Sequence, residues 1–261
     1  MVSIIIPSCC KTTKWLKPAL DSIVKYTSLD RIELLISANG ISEQVKEFLI
    51  EYKKTPGLDM KILFHPERVG YPKAVNDACH ISRGDKLVFF NSDCQILPSP
   101  INQWIDLLER PFLDNENTGI TGPLEIYCKF TNEPFLCAFL IMVSRKMLSK
   151  IGLLDLAFKS GHGEDVDLSE RAKLHGFTTK LTSENIGEDA SVMRGNFPAY
   201  HEAEISTEKD PEVNVYFRPQ ALKNQQLLKQ RKASGYYSLP FKFPSTIPFI
   251  SNYKDKIFKL V

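Results

Sequence analysis

The residues with most chemistry to offer are carboxylates in two places. Asn91-Ser92-Asp93 follows directly on the apolar run Leu87-Val88-Phe89-Phe90, and Glu164-Asp165, with Asp167 close behind, follows Ser160-Gly161-His162-Gly163. A carboxylate at a strand end can hold a hard divalent cation, which prefers oxygen ligands and commonly bridges one or two carboxylates to substrate phosphates. A carboxylate beside a glycine-bracketed loop can act as general base toward an attacking hydroxyl. Each cluster also has a plainer reading. Asn-Ser-Asp is ordinary turn chemistry, and Glu164, Asp165 and Asp167 favour a helix N-terminus electrostatically. The chain has neither G-x-x-x-x-G-K-[ST] nor G-x-G-x-x-G, so a phosphate would need another counter-charge, which a cation on Asp93 could supply.

These carboxylates need elements to hold them. An apolar run without alternation, such as 87–90, fits a strand covered on both faces. Similar runs occur at 2–6, 32–36 and 60–64. Between them, Trp15, Leu16, Ala19, Leu20, Ile23 and Val24 recur at helical spacing, a second helix opens at Ser42 with Val45, Phe48, Leu49 and Ile50 inward, and a third starts near Pro72. Strands and helices alternating in this way predict a parallel sheet with right-handed crossovers, whose ligands lie beyond the carboxyl ends of the strands. Asp93 falls at such an end, and Asp165 falls in a loop before a helix over 169–175. After Asp93 the pattern predicts a helix at 101–108, long strands at 119–127 and 135–143, and a helix at 145–151, a mixed region. The expected organisation is one domain over 1–210, with a nucleotide-binding half over about 1–95 and an acceptor and catalytic half over about 96–210. Residues 211–261 form an extension. Its last part, 236–261, mixes aromatics with Lys242, Lys254, Lys256 and Lys259, and either packs on the domain or docks on an anionic membrane. Pro240, Pro244 and Pro248 prevent one long amphipathic helix there and favour packing.

Composition narrows the class. Among 261 residues, 33 Lys plus Arg balance 31 Asp plus Glu, leaving a net charge of +2 and no general attraction to nucleic acid. Cys9, Cys10, Cys79, Cys94, Cys128 and Cys137 show no C-x-x-C spacing and read as reduced thiols, which suggests a cytoplasmic protein. The start reads as a strand broken at Pro7 and not as a signal peptide, and no apolar stretch is long enough to span a bilayer.

Four stretches, VSIIIPSCCKTTKWLKPALDSI, ELLISANG, RVGYPKAVNDACHISRGDKLVFFNSD and GHGEDVDLSERAKLHGF, stand in the order and at the spacing of a GT-A glycosyltransferase, and the chain most resembles family 2 over roughly residues 2–182. The resemblance implies a Rossmann-like three-layer α/β/α fold with a mixed, mostly parallel central sheet. It implies a hexosyltransferase-like enzyme using a nucleotide-diphospho-sugar donor, with UDP favoured, a divalent Mn²⁺ or Mg²⁺, and inversion at the anomeric carbon. The acceptor would be a glycan or lipid-linked glycan, as in polysaccharide biosynthesis, met in the cytoplasm or at the inner membrane face. By the same resemblance Pro7, Ser8 and Asn39 line the nucleoside pocket, Lys73 lies near the diphosphate, and Asn91-Ser92-Asp93 is the D-x-D-like element. Asp93 then holds the metal with His201 as a further ligand, Asp165 is the base, and His162, Glu164 and Asp155 lie on the acceptor side. The chain departs from the family at Ala38, where relatives carry an Asp, at Asn91 in the first D-x-D position, and at Leu154 for an aromatic residue. His65, His80 and His175 read as structural, and Asp167 with Arg171, four apart, as a supporting ion pair. A sugar-phosphate nucleotidyltransferase would open with a glycine-rich loop after its first strand, which Pro7-Ser8-Cys9-Cys10 is not. A non-catalytic nucleotide-sugar or glycan-binding module would have little need of Asp93, Glu164 and Asp165 together.

Overall fold

A computed structural model describes residues 1–182, 197–201, 211–239 and 259–261. Strands β1 (Val2–Ser8), β2 (Ile32–Asn39), β3 (Met60–His65) and β4 (Lys86–Phe90) alternate with helices α1 (Leu16–Tyr26), α2 (Glu43–Tyr52) and α3 (Tyr71–Ile81). All four strands pair in parallel in the order β3-β2-β1-β4. Their apolar runs are continuous because both faces are covered. Ile4, Ile6, Leu34 and Ile36 pack with Leu16, Leu20, Val45 and Leu49 on one side, while Ile5, Leu35 and Leu63 meet Val75, Ala78 and Cys79 on the other. That is the three-layer arrangement expected.

The chain then makes a short strand β5 (Cys94–Ile96) and helix α4 (Gln103–Asp114), which buries Trp104, Ile105 and Leu108. Beyond it the two long strands expected from the sequence are each divided. Pro123, which cannot donate to a ladder, separates β6 (Thr118–Gly122) from β7 (Glu125–Cys128), and residues 137–139 separate β8 (Glu133–Leu136) from β9 (Leu140–Ser144). β9 enters the sheet antiparallel between β4 and β6, whereas β7 and β8 leave it as a separate hairpin. α5 (Arg145–Ile151) is where periodicity puts a helix. α6 (Glu164–Leu174) opens five residues before the expected helix start at Ser169, so Asp165 sits in its first turn and not in the preceding loop. β10 (Thr178–Leu181) and β11 (Ala199–His201) follow, then the long helix α7 (Pro211–Ala233), and β12 (Lys259–Leu260) closes the far edge against β3. α7 lacks an apolar stripe because its buried positions include Asn224 and Arg231 beside Leu228. Of the aromatic and lysine segment at 236–261, residues 240–258 lie outside the described residues. Among the described residues no helix is long and apolar enough to cross a membrane.

Candidate active site

The carboxyl ends of the parallel strands open into a cavity of about 560 Å³. Its floor is Pro7, Cys9, Asn39 and Asn91-Ser92-Asp93, as the winding of the sheet requires. Ser8 is buried behind this floor and supports it: its carbonyl accepts from the Asn39 amide at 3.0 Å, and its hydroxyl from the Cys10 N–H at 3.4 Å. Asn39 ends at Gly40, whose φ of +65° suits glycine, and a Cβ there would come within 2.8 Å of Arg68 Cγ. This close approach lays Arg68 along the cavity. Lys73 does not line it. Its ammonium is held by Asp77 at 2.8 and 3.1 Å, one turn along α3, so the diphosphate role that the resemblance gives Lys73 has no support in the geometry, and among the described residues the Lys and Arg side chains that line the cavity are Arg68 and Lys129.

Asp93 is buried, and His201 Nε2 approaches its Oδ1 at 3.2 Å although 108 residues separate them. The register of β11 on β5 explains the meeting, because it pairs His201 with Cys94. The imidazole stacks on Phe139 at 4.4 Å, and the Asn91 amide lies 3.5 Å from Nε2. Among the described residues, His201 Nδ1 is buried without a hydrogen-bond partner. A carboxylate, an imidazole and an amide that can turn its oxygen inward suit a hard or borderline divalent cation. Among the described residues no cluster of three His, Cys, Asp or Glu could hold a metal, so a cation here would need substrate oxygens to complete its shell, as Mg²⁺ and Mn²⁺ commonly do at phosphate sites.

The second acidic centre lies on the other side of Cys137-Ala138-Phe139. Phe139 stacks on His201, while the Ala138 N–H points to Asp165 Oδ2 at 3.4 Å. Asp165 Oδ1 accepts from the Val166 N–H at 2.9 Å. Burial pushes the Asp165 carboxyl above the ordinary aspartate range, against the pull of the backbone donors at Val166 and Ala138. Glu164 is pushed up further, by burial first and by the neighbouring Asp165 charge second, and among the described residues its Oε2 has no hydrogen-bond partner. Glu164 is buried and Asp165 is half-buried at the cavity, and two such adjacent carboxyls titrate as a pair. A carboxyl whose pKa is raised is a stronger base once ionised than a solvated aspartate.

The segment ahead of them is strained. Ser160, Gly161, His162 and Gly163 all have positive φ, of 69°, 107°, 66° and 107°. A side chain costs free energy in this region. His162 points outward into the cavity against the Phe217 ring at 4.7 Å. Asp155, expected on the acceptor side, does not line the cavity. It is buried, and its carboxylate takes the Arg231 guanidinium at 2.6 Å, which makes it a support for the chain behind the loop. The Asp167–Arg171 ion pair forms at 2.8 Å as their spacing predicts. The remaining wall is mostly apolar, with Ile126, Phe130, Phe135, Val166 and Leu228 from the β7–β8 hairpin, α6 and α7, beside Tyr127, Lys129 and Gln225. Arg68, Phe139 and the α7 residues were not singled out by sequence reasoning. Arg68 alone carries a local signal, a cation just past the end of β3, at the same edge as Asn39 and Asp93.

One other cluster has the look of chemistry. Ser37 Oγ and His65 Nε2 are 3.0 Å apart, with Asp77 3.8 Å from His65 Nδ1. All three are buried away from the cavity lining, so a substrate cannot reach them and the cluster packs α3 to β2 and β3.

The sequence profile of glycosyl transferase family 2 matches residues 3–121. Among curated proteins nothing matches the chain. Among solved structures it is similar to the mannosyltransferase PcManGT from Pyrobaculum calidifontis, described in complex with GDP-Man and Mn²⁺, at TM-score 0.57 and 14% identity over 89% of this chain and 75% of that one. It is also similar to GalNAc-T7, described with UDP, GalNAc and Mn²⁺, at TM-score 0.58 and 16% identity over 68% of this chain and 41% of that longer one. A third similarity is to S. aureus TarS 1–349, at TM-score 0.53 and 15% identity over 93% and 75% of the two chains. The family 2 match covers the strands whose ends build the cavity floor, and the similarity to these solved structures shows the shared GT-A fold.

Proposed function

We propose that the protein moves a sugar from a nucleotide-diphospho-sugar donor to a hydroxyl of a glycan or lipid-linked glycan, with inversion and with the help of a divalent cation. The observation that carries this reading is the pair of acidic centres in one cavity, Asp93 with His201 on one side of residues 137–139 and Glu164 with Asp165 on the other. An inverting transfer needs that division. The acceptor oxygen attacks the anomeric carbon from the side away from the diphosphate, so the group that takes its proton and the groups that steady the leaving diphosphate cannot be the same.

Asp93 and His201 would hold Mn²⁺ or Mg²⁺, and a bound cation would supply Lewis-acid stabilisation of the charge on the departing diphosphate. Pro7 and Asn39 shape the nucleoside end, and Arg68 adds fixed positive charge for the phosphates. Asp165 receives the acceptor's proton on Oδ1 or Oδ2, with Val166 and Ala138 N–H groups fixing the carboxylate's direction. The apolar wall of Phe130, Phe135, Phe217 and Leu228 supports an acceptor that offers a sugar face or lipid portion there. The similar structures are described with GDP-Man and with UDP and GalNAc, and a UDP-sugar is the first choice to test.

The test is thermal denaturation with a panel of UDP- and GDP-sugars with and without Mn²⁺. One donor should raise the melting temperature, only with metal, by mass action. In Asp93→Ala that gain should vanish while the unliganded protein still folds, and His201→Ala should lose only part of it. A metal-dependent gain unchanged in Asp93→Ala would refute the metal assignment, and a product whose linkage keeps the donor's anomeric configuration would refute inversion.

A further inference from the structure

α7 comes to the cavity from the C-terminal end of the chain, and its contacts converge on one short stretch. The Asn224 side chain is 1% exposed; its amide nitrogen donates to Gly161 O at 2.6 Å and to Lys159 O at 2.9 Å, while its oxygen accepts from Gln220 Nε2 at 3.0 Å. Leu228 closes over Gly163, where a Cβ would meet the Leu228 methyl at 3.0 Å. One turn on, Arg231 joins Asp155 at 2.6 Å to Asp167 at 2.7 Å, and Tyr237 donates to Asp167 at 2.9 Å. The segment from 155 to 167 is thus gripped at both ends and in its middle by a helix remote in sequence.

The middle grip is the informative one. Four successive residues with positive φ, two of them Ser160 and His162, do not hold themselves in that conformation. Once ordered, the run delivers the chain so that Glu164 and Asp165 begin α6 facing the cavity. We infer that Asn224 is a positioning residue of the transferase, whose two hydrogen bonds hold the 159–163 loop in its left-handed run and thereby aim the Glu164–Asp165 pair. The inference rests on Asp165 being the base. Arg231 contributes to the same clamp, but it neutralises two buried carboxylates, and its loss would perturb folding as well as positioning. Asn224 carries no charge and touches neither acid, so its removal isolates the loop.

Two readouts test this, neither of which a packing role alone would move. The first is the titration of Glu164 and Asp165 followed by their carboxyl ¹³C shifts. The titratable groups facing the pair are His162 and Asp167 on its own segment, Tyr71 from α3 and Cys137 from the segment after β8. In the parent the pair should titrate above the ordinary carboxylate range. In Asn224→Leu, with the loop released and water admitted, it should fall back toward that range. The second readout is release of nucleoside diphosphate from UDP-glucose, UDP-GlcNAc and GDP-mannose in Mn²⁺. Turnover should fall about 10- to 100-fold, the scale of a small misplacement of a reacting group, while the donor-induced thermal shift stays as in the parent. Leu108→Ala in α4, a core deletion away from the cavity, serves as a control that lowers the melting temperature without moving either readout. Gln220→Ala, which removes only the bond orienting the Asn224 amide, should act in the same direction and more mildly, and it serves if Asn224→Leu fails to fold. An unchanged titration and turnover in either variant, with only a fall in melting temperature like that of Leu108→Ala, would overturn the positioning role. The base reading fails separately, if Asp165→Asn keeps near-normal turnover whatever Asn224 does.

Discussion

Replacing Asp165 by asparagine keeps the side chain's volume and the oxygen that accepts from Val166 N–H at 2.9 Å, and it removes the capacity to take a proton. The structural cost is small. The new amide group would turn toward the Ala138 N–H, now paired with Oδ2 at a long 3.4 Å, and losing so stretched a bond costs about 1 kcal/mol. The catalytic cost should be larger. A positioned general base contributes about 10²- to 10⁴-fold, which is about 3–5 kcal/mol of barrier, so turnover should fall by that factor while the metal-dependent donor thermal shift stays the same.

The pH profile makes this test sharper. Asp165 must be ionised to accept a proton, and burial raises its pKa, so kcat/KM should decline on the acid side as pH falls through a value above the ordinary aspartate range. That limb belongs to the coupled Glu164–Asp165 pair and not to one residue. In Asp165→Asn it should vanish and leave a low, flat profile. Initial rates from pH 4 to 9 on parent and variant, with the donor at saturation and far below it, decide the matter. A variant with near-normal turnover, or one with reduced rate but the same acid limb, would refute the assignment.

Arg68→Ala should leave folding intact and weaken donor binding about 10- to 100-fold, the worth of one charge-assisted hydrogen bond to a phosphate; titration calorimetry with the selected donor reads it, and unchanged affinity would place the phosphates elsewhere. Glu164 holds its proton to higher pH when folded than when unfolded, so the folded state loses stability as pH rises from the ordinary carboxylate range through the raised value. Glu164→Gln cannot ionise, and its melting temperature should gain on the parent's as pH climbs through that window; parallel curves would contradict the raised value. Glu33 lies at the opposite end of the sheet, where burial alone would raise it, but hydrogen bonds from Lys61, Ser3 and Arg83 hold it at about 2. Its stabilisation is present above the ordinary carboxylate range and is lost as pH falls toward 2. Glu33→Gln should therefore cost about 3 kcal/mol at neutral pH, from 1.36 kcal/mol per unit, and little near pH 2, as read by urea unfolding at both; an equal cost at both would refute the linkage.

The parallel strands were legible because burial on both faces leaves a mark any window can see, an unbroken apolar run such as Ile4-Ile5-Ile6. The edge of the sheet followed from their alternation with helices, and with it the placement of Asn39 and Asp93. The second half was harder to read because apolar character there does not follow one sheet. Residues 119–127 look continuous, yet Pro123 moves the chain from β6 to the β7–β8 hairpin. α7 was illegible for a different reason: its inward face carries Asn224 and Arg231, and a periodicity argument assigns polar residues to solvent.

Partner choice marks where the sequence stops being enough, and the two cations near the end of β3 show it. Lys73 has Asp77 four residues on, a spacing that joins charges along one helix face, so its engagement at 2.8 Å was written in the local sequence. Arg68 lies in the loop before α3, where no helical spacing applies, and its place on the cavity wall comes from the fold. His201 offers no such clue. Its approach to Asp93 depends on two three-residue strands meeting in one antiparallel register, and a slip of one residue would turn the imidazole to the opposite face. Local spacing can therefore assign a charge to its neighbour, but a site assembled from 93 and 201 is fixed by register, which only the folded sheet sets.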